Sequence, residues 1–253
     1  MNTSLVQSLL IAMQFLTRIP VPSVGRVDNR IVGLSLLWYP LVGLLIGAIL
    51  WLFQIGLALV LPQLWMVQAA LLLTLWCLLT GGLHLDGLAD SADAWVGGFG
   101  DRQRTLELMK DPTCGPAAVL LIVLLLLVKF SALSALLSLN PAWLLVAPVV
   151  GRALLLLLFL TTRYVRQGGL GAVLSEAFPR RAAQGVLLVL SVLLLFAGSI
   201  GFIVLLLVLL LFFGLRYMMI ERLGGTTGDT AGALVELSEA MVLLALLSAL
   251  HST

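Results

Sequence analysis

The sequence predicts an all-α protein, a polytopic membrane bundle of about seven transmembrane helices with its chemistry-bearing loops on the cytoplasmic side. Three observations carry that prediction. Of 253 residues, 61% are apolar and 10% charged, against about 45–50% and about 25% in a soluble domain. No Asp, Glu, Lys or Arg occurs from Ile31 to Leu85 or from Ala182 to Leu215, and uncharged apolar runs of that length are the mark of helices in a bilayer. Twelve of the fourteen basic residues fall in connections that one membrane face can share, the asymmetry that marks the cytoplasmic side. The lipid bilayer is thus the first partner, and residues 1–253 read as one membrane-embedded domain.

Ser4 to Thr17 is expected to form a short helix lying at the interface or tucked against the bundle. Met1 to Gln14 contains no Lys or Arg and so lacks the basic start of a secretory signal. The uncharged stretch from Ile31 to Leu85 would extend about 82 Å as one helix, against a hydrocarbon core of about 30 Å. It must cross twice, turning near Pro62. Its first crossing holds Pro40, Gly43 and Gly47, which predicts a tilt or kink at the proline and a close neighbour along the glycines. A polar segment, His84 to Gly115, precedes crossings at Pro116–Leu139 and Pro141–Thr162, joined by an Asn140-Pro141 turn.

The run Ala182–Leu215 is either one overlong helix or a hairpin breaking near Gly198–Gly201. Basic residues decide for the hairpin. It puts Arg18, Arg26, Arg30, Arg102, Arg104, Lys110, Arg163, Arg166, Arg180, Arg181, Arg216 and Arg222 on one side, whereas a single helix would send the last two across. Ala231–Leu250 closes a count of seven, and a reporter fused after Thr253 should read as outside. A net charge of +2 with basic and acidic residues sharing the same loops gives no reason to expect a nucleic-acid partner. Cys77 and Cys114 have no metal-site spacing and lie too far apart to pair.

The most informative segment runs from His84 to Asp93. At about 100° per residue, Asp86, Asp90 and Asp93 fall within one stripe of about 60° on a helix. Carboxylates that close repel, and the arrangement makes sense if a hard divalent cation sits between the oxygens. Mg²⁺ suits such ligands together with a substrate phosphate, whereas Zn²⁺ would want more His or Cys. The competing reading is a solvated loop in which Asp86 caps a helix. His84 could accept a proton or contact substrate, or serve as a hydrogen-bonded structural residue.

Two further segments are polar. Gly97-Gly98-Phe99-Gly100 leads into a short helix over Asp101–Asp111 carrying Arg102, Arg104, Glu107 and Lys110, basic side chains that could hold phosphate or simply form a surface face. Gly224–Gly232 opens the last span. Its backbone N–H groups and hydroxyls, Gly225 and Thr227 among them, could receive an anion, and Asp229 could add a metal ligand. Inside the spans lie Lys129, Arg152, Glu236 and Glu239, which either neutralise one another or reach an anionic substrate. Arg18 precedes a stiff Pro20-Val21-Pro22 extension that would hold it in place.

These blocks resemble the cobalamin synthase family, the adenosylcobinamide-GDP ribazoletransferases. The resemblance rests on Phe15 to Pro20, Gly81–Asp90 with Asp93, Met109-Lys110-Asp111 followed by Gly115, Lys129, Gly151-Arg152, and Gly224-Gly225 with Thr227-Gly228-Asp229 and Gly232-Ala233. They run in family order through nearly the whole chain, and His-Leu-Asp-Gly-Leu-Ala-Asp is the specific one. The resemblance implies a bacterial inner-membrane enzyme that joins adenosylcobinamide-GDP to α-ribazole, or its 5′-phosphate, releasing GMP and requiring Mg²⁺. For that chemistry Asp86, Asp90, Asp93 and Asp229 are the expected metal ligands, and Asp86, Asp90 and Lys110 the expected catalytic groups. Arg18, His84, Lys110, Lys129, Arg152, Gly225, Thr227 and Glu239 are the expected substrate contacts. Association with other late enzymes of cobalamin synthesis, or with a second copy of the chain, is a further expectation.

Three rivals remain at the level of sequence. A CDP-alcohol phosphotransferase also sets Asp-Gly-x-x-Ala around metal, but this chain has Asp90 where that pattern places Arg and lacks its later aspartate spacing. An ion-coupled transporter would use the charges inside the spans, yet most polar residues lie in loops on one side. A membrane scaffold would leave the carboxylate stripe unexplained.

Overall fold

A computed structural model describes residues 3–25, 28–166 and 168–251; Arg26 and Thr253, used in the topology argument, lie outside them. The described chain is helical, with no strand. Its helices are α1 (Thr3–Leu16), α2 (Asn29–Ser35), α3 (Tyr39–Val60), α4 (Trp65–Thr80), α5 (Leu83–Gly97), α6 (Arg102–Leu108), α7 (Pro116–Leu139), α8 (Val146–Thr161), α9 (Gly169–Glu176), α10 (Arg180–Leu195), α11 (Ser199–Leu223) and α12 (Gly228–His251). The breaks fall where local chemistry puts them. The turn between α3 and α4 contains Pro62, Asn140 caps the 3-10 turn Pro141–Leu145 by accepting from the Ala142 N–H, and Gly198 at φ 68° separates α10 from α11. The hairpin reading of residues 182–215 therefore holds. Pro40 sits in the first turn of α3, where its missing N–H costs no bond, and the irregularity expected there takes the form of a 3-10 turn over Leu36–Trp38.

Among the described residues, five helices or helix runs are long and apolar enough to cross a bilayer: Asn29–Val60, α7, Pro141–Thr161 (the 3-10 turn with α8), α11 and α12 through Leu250. The count reaches seven when α4 with α5, bent by 87°, and α9 with α10, bent by 94°, each supply one crossing. We read α4 and α10 as those crossings. At 16 residues each they reach about 24 Å, short of the usual core thickness. Helices α5 and α9 turn away from them at these bends. Leu120 (62% exposed), Leu188 (66%) and Leu210 (61%) are outward-facing apolar residues on α7, α10 and α11, as a bilayer solvent requires.

Helix α12 is the centre of the bundle, packed against α5, α7, α8 and α11. Close packing between α3 and α8 depends on the glycine pair read from sequence: a Cβ at Gly43 would strike the Pro148 carbonyl, and one at Gly47 would stand 2.9 Å from Leu145 Cα. Helices without a hydrophobic drive to associate in lipid gain contact this way. The basic connections meet at one end of the bundle. Arg18 packs on Gly81, Arg222 donates to the Trp95 carbonyl at 2.6 Å, Arg216 donates to the Thr161 carbonyl at 2.6 Å, and Arg166 pairs with Asp229.

Candidate active site

The site is assembled at that basic end, starting from a corner. Gly81 and Gly82 have φ of 62° and 70°, a left-handed pair that only glycine adopts cheaply, and they swing the chain from α4 into α5. Arg18 covers this corner: its N–H donates to the Leu79 carbonyl at 2.7 Å and its exposed side chain lies against Gly81. Asp86 follows in the first turn of α5, where the helix dipole favours a negative charge. The helix has two faces. His84, Gly87, Leu88 and Ser91 are buried, while Asp86 is exposed and Asp90 and Asp93 are partly so, which is the stripe the spacing predicts.

Helix α12 then crosses α5 with almost no separation. A Cβ on Gly87 would stand 2.8 Å from the Asp229 carbonyl oxygen, and one on Gly232 would stand 3.2 Å from the His84 carbonyl oxygen. Two glycines, 145 positions apart, thereby carry Asp229 to the carboxylate face of α5. The electrostatic consequence is visible at Asp90. Burial, then the Asp86 and Asp229 charges, with Asp93 adding to them against the opposing Arg166, push its carboxyl up to about 6. Like charges gathered in a half-buried place favour protonation or a cation.

The four expected metal ligands divide. Among the described residues Asp86 and Asp90 make no side-chain hydrogen bond or ion pair. Asp93 is different: its Oδ2 accepts from the Gly115 N–H at 2.5 Å and its Oδ1 from the Ala118 N–H at 3.0 Å. It caps the start of α7, whose own cap residue is a glycine with no side chain to offer. Both its oxygens serve the fold, which sets it apart from the unpartnered Asp86 and Asp90. Asp229 accepts from Arg166 Nη1 at 2.9 Å. Among the described residues no three His, Cys, Asp or Glu groups converge as a cage for a metal. Mg²⁺ needs no such cage, since one or two carboxylates and substrate phosphates commonly hold it. An all-oxygen set of Asp86 and Asp90, one turn apart, with Asp229 beside them, fits that ion.

The loop before α12 also departs from its sequence reading. Thr227 is buried, and its hydroxyl accepts from the Thr230 N–H at 3.2 Å while its own N–H donates to the Thr230 hydroxyl at 2.9 Å. This is a reciprocal helix cap rather than an anion cradle. Gly225 lies so close to the Arg163 carbonyl that a Cβ would collide with it. The loop is clipped to residues 163–165 there: the Thr226 N–H donates to Arg163 at 2.8 Å and the Val165 N–H to Thr226 at 2.9 Å. Gly225 and Thr227 thus build the support of the site, not its surface. Lys110 is exposed just after α6, and the neighbouring Met109 sulfur accepts from the Thr227 hydroxyl at 3.7 Å, which holds that segment against the α12 start.

Lys129, Arg152 and Glu239, expected as substrate contacts, lie inside the bundle and pair with one another. Lys129 Nζ reaches Glu236 Oε2 at 2.5 Å and Glu239 Oε2 at 2.6 Å, and Arg152 pairs with Glu239 Oε1. Of the two readings open from sequence, mutual neutralisation is the one found. His84 is also buried, and among the described residues its Nδ1 has no hydrogen-bond partner; it faces the bundle, away from the carboxylate stripe. Sequence reasoning used Arg166 only as a marker of the basic side. Nothing in the spacing ties it to Asp229, 63 positions away.

The family model described as cobalamin-5-phosphate synthase matches residues 8–247. The chain belongs to this family. Among its relatives, an adenosylcobinamide-GDP ribazoletransferase of Pseudomonas putida is 58% identical over 237 residues, covering 93% of this chain and 96% of the relative. One of Pseudomonas fluorescens is 55% identical over 238 residues, with 93% and 97% covered. One of Stutzerimonas stutzeri is 54% identical over 239 residues, with 94% and 96% covered. No solved structure matches the chain. Within a cobalamin-5-phosphate synthase, the Asp86–Asp90 face, Arg18 at the corner and Lys110 after α6 are the exposed functional candidates, and the charges inside the spans are paired with one another.

Proposed function

We propose that the chain transfers the cobinamide phosphate of adenosylcobinamide-GDP to α-ribazole, or to its 5′-phosphate, giving adenosylcobalamin or its 5′-phosphate and GMP. A ribazole hydroxyl oxygen bonds to the phosphorus linked to cobinamide, the bond between that phosphorus and the bridging oxygen breaks, and GMP leaves carrying the bridging oxygen with the electron pair of that bond. The hydroxyl proton passes to a base, for which the carboxylates of the site are the available groups. Asp86 and Asp90, with Asp229, would hold Mg²⁺. The ion supplies charge neutralisation and orientation for the diphosphate when bound. Arg18 at the glycine corner and Lys110 after α6, both exposed cations, contact the phosphates. The observation that carries this reading is the Gly87–Gly232 crossing, which sets Asp229 beside two carboxylates that the fold leaves unpartnered.

Incubating purified protein with GDP-cobinamide, α-ribazole and Mg²⁺ should release GMP. Asp86→Asn and Asp90→Asn should each lower that release by about a hundredfold or more at equal protein level and unfolding temperature. Near-normal turnover in either would refute the metal assignment. The basic end is cytoplasmic in this reading and the membrane is the bacterial inner membrane. A reporter fused after Thr253 should report the opposite side, and a cytoplasmic signal would overturn the seven-span orientation.

A further inference from the structure

Arg166 is placed with care for a residue in a loop. It directly follows Arg163–Val165, the segment clipped to Thr226 by two backbone bonds, so its Cα is fixed relative to the first turn of α12. Its guanidinium then meets Asp229 through Nη1. Among the described residues this is its one ion pair, while the group carries five N–H donors in a planar fork. The side chain is 33% exposed and that of Asp229 15%. The contact therefore sits at the edge of the carboxylate face, where the Arg166 charge also opposes the rise at Asp90.

A guanidinium with donors to spare, beside carboxylates suited to a cation, is built for exchange. We propose that Arg166 binds the diphosphate of the nucleotide substrate, and that its ion pair with Asp229 is the resting contact given up when diphosphate and divalent cation arrive together. This rests on the metal and substrate reading of the preceding subsection. The chemistry is a swap of partners. A carboxylate offers Arg166 one negative charge, whereas a diphosphate offers more charge and the paired oxygens that a guanidinium grips in two places. Asp229, released, meets the cation. Neither half proceeds well alone, since a lone cation must displace Arg166 and a lone diphosphate must leave Asp229 partly buried without a counter-charge. Cation and nucleotide then strengthen each other's binding, as linkage requires.

The test uses the full chain in phospholipid nanodiscs with Mn²⁺ as a spectroscopic stand-in for Mg²⁺, its binding read by electron paramagnetic resonance with and without GDP-cobinamide. In the parent protein Mn²⁺ should bind weakly alone and severalfold more tightly with nucleotide. Arg166→Gln should bind Mn²⁺ severalfold more tightly than the parent without nucleotide, because the competing cation is gone, and should gain little when nucleotide is added. Its KM for GDP-cobinamide should rise about tenfold while that for α-ribazole stays put. Arg166→Lys, which keeps the charge, should retain the weak Mn²⁺ binding of the parent. If Arg166→Gln binds Mn²⁺ without nucleotide no more tightly than the parent does, or keeps the parent KM for GDP-cobinamide, the role of Arg166 is wrong and the metal reading stands. If the parent binds no Mn²⁺ with or without nucleotide, the metal reading fails and the Arg166 proposal falls with it.

Discussion

Three aspartates on one helical stripe have two different occupations, and the difference lies in what each carboxylate touches. Asp93 holds two N–H groups of α7, whereas Asp86 and Asp90 face outward. Asp93→Ala should lower stability by about 1–2 kcal/mol, the cost of losing a helix cap, seen as a lower thermal midpoint in detergent, while the Mg²⁺ concentration for half-maximal GMP release stays within about twofold. A large shift in that concentration would return Asp93 to the ligand set. The stripe itself is legible from periodicity, since positions 86, 90 and 93 share a face of any helix. The cap is not, because its acceptor and donors lie 22 and 25 positions apart and meet only once α5 and α7 are docked.

At the scale of elements, the geometry of the site is the crossing of α5 and α12. A methyl group at Gly87 has 2.8 Å to the Asp229 carbonyl, and backbone cannot yield as a flexible side chain would, so the helices must separate. Gly87→Ala should cost about 1–3 kcal/mol in stability and about tenfold to a hundredfold in GMP release through misplaced carboxylates. Gly214→Ala, where a Cβ meets nothing within 4 Å, is the control and should leave both unchanged. Helix boundaries were readable from Pro62, Asn140-Pro141 and Gly198 because turn chemistry is local. The glycine pair in α3 announced a close neighbour, but its identity, α8, is a tertiary fact.

Across the whole molecule, α7, α8 and α12 are tied by Lys129, Arg152, Glu236 and Glu239, two charges of each sign removed from water. Charge in such a place is tolerable only in balance. Lys129→Met leaves two carboxylates to one guanidinium and should cost about 3–5 kcal/mol. Adding Glu236→Gln leaves Arg152 and Glu239 as a neutral pair and should recover most of that loss, measured as thermal midpoints of the single and double variants. A double variant no more stable than the single one would mean that the quartet is not a charge-balanced tie. This network also removes the main support for a transporter, since the charges within the spans answer one another.

Composition, uncharged runs and turn residues were enough to specify an all-helical membrane bundle, its break points and the face of α5 that carries carboxylates, because these follow from solvent preference and from the period of a helix. Which carboxylates stay free, which cations neutralise them and which hydroxyls merely cap helices were decided by tertiary contacts such as Arg166 with Asp229 and Lys129 with Glu236, 63 and 107 residues apart. Attraction between such groups depends on distance through space, and only the packed bundle sets that distance.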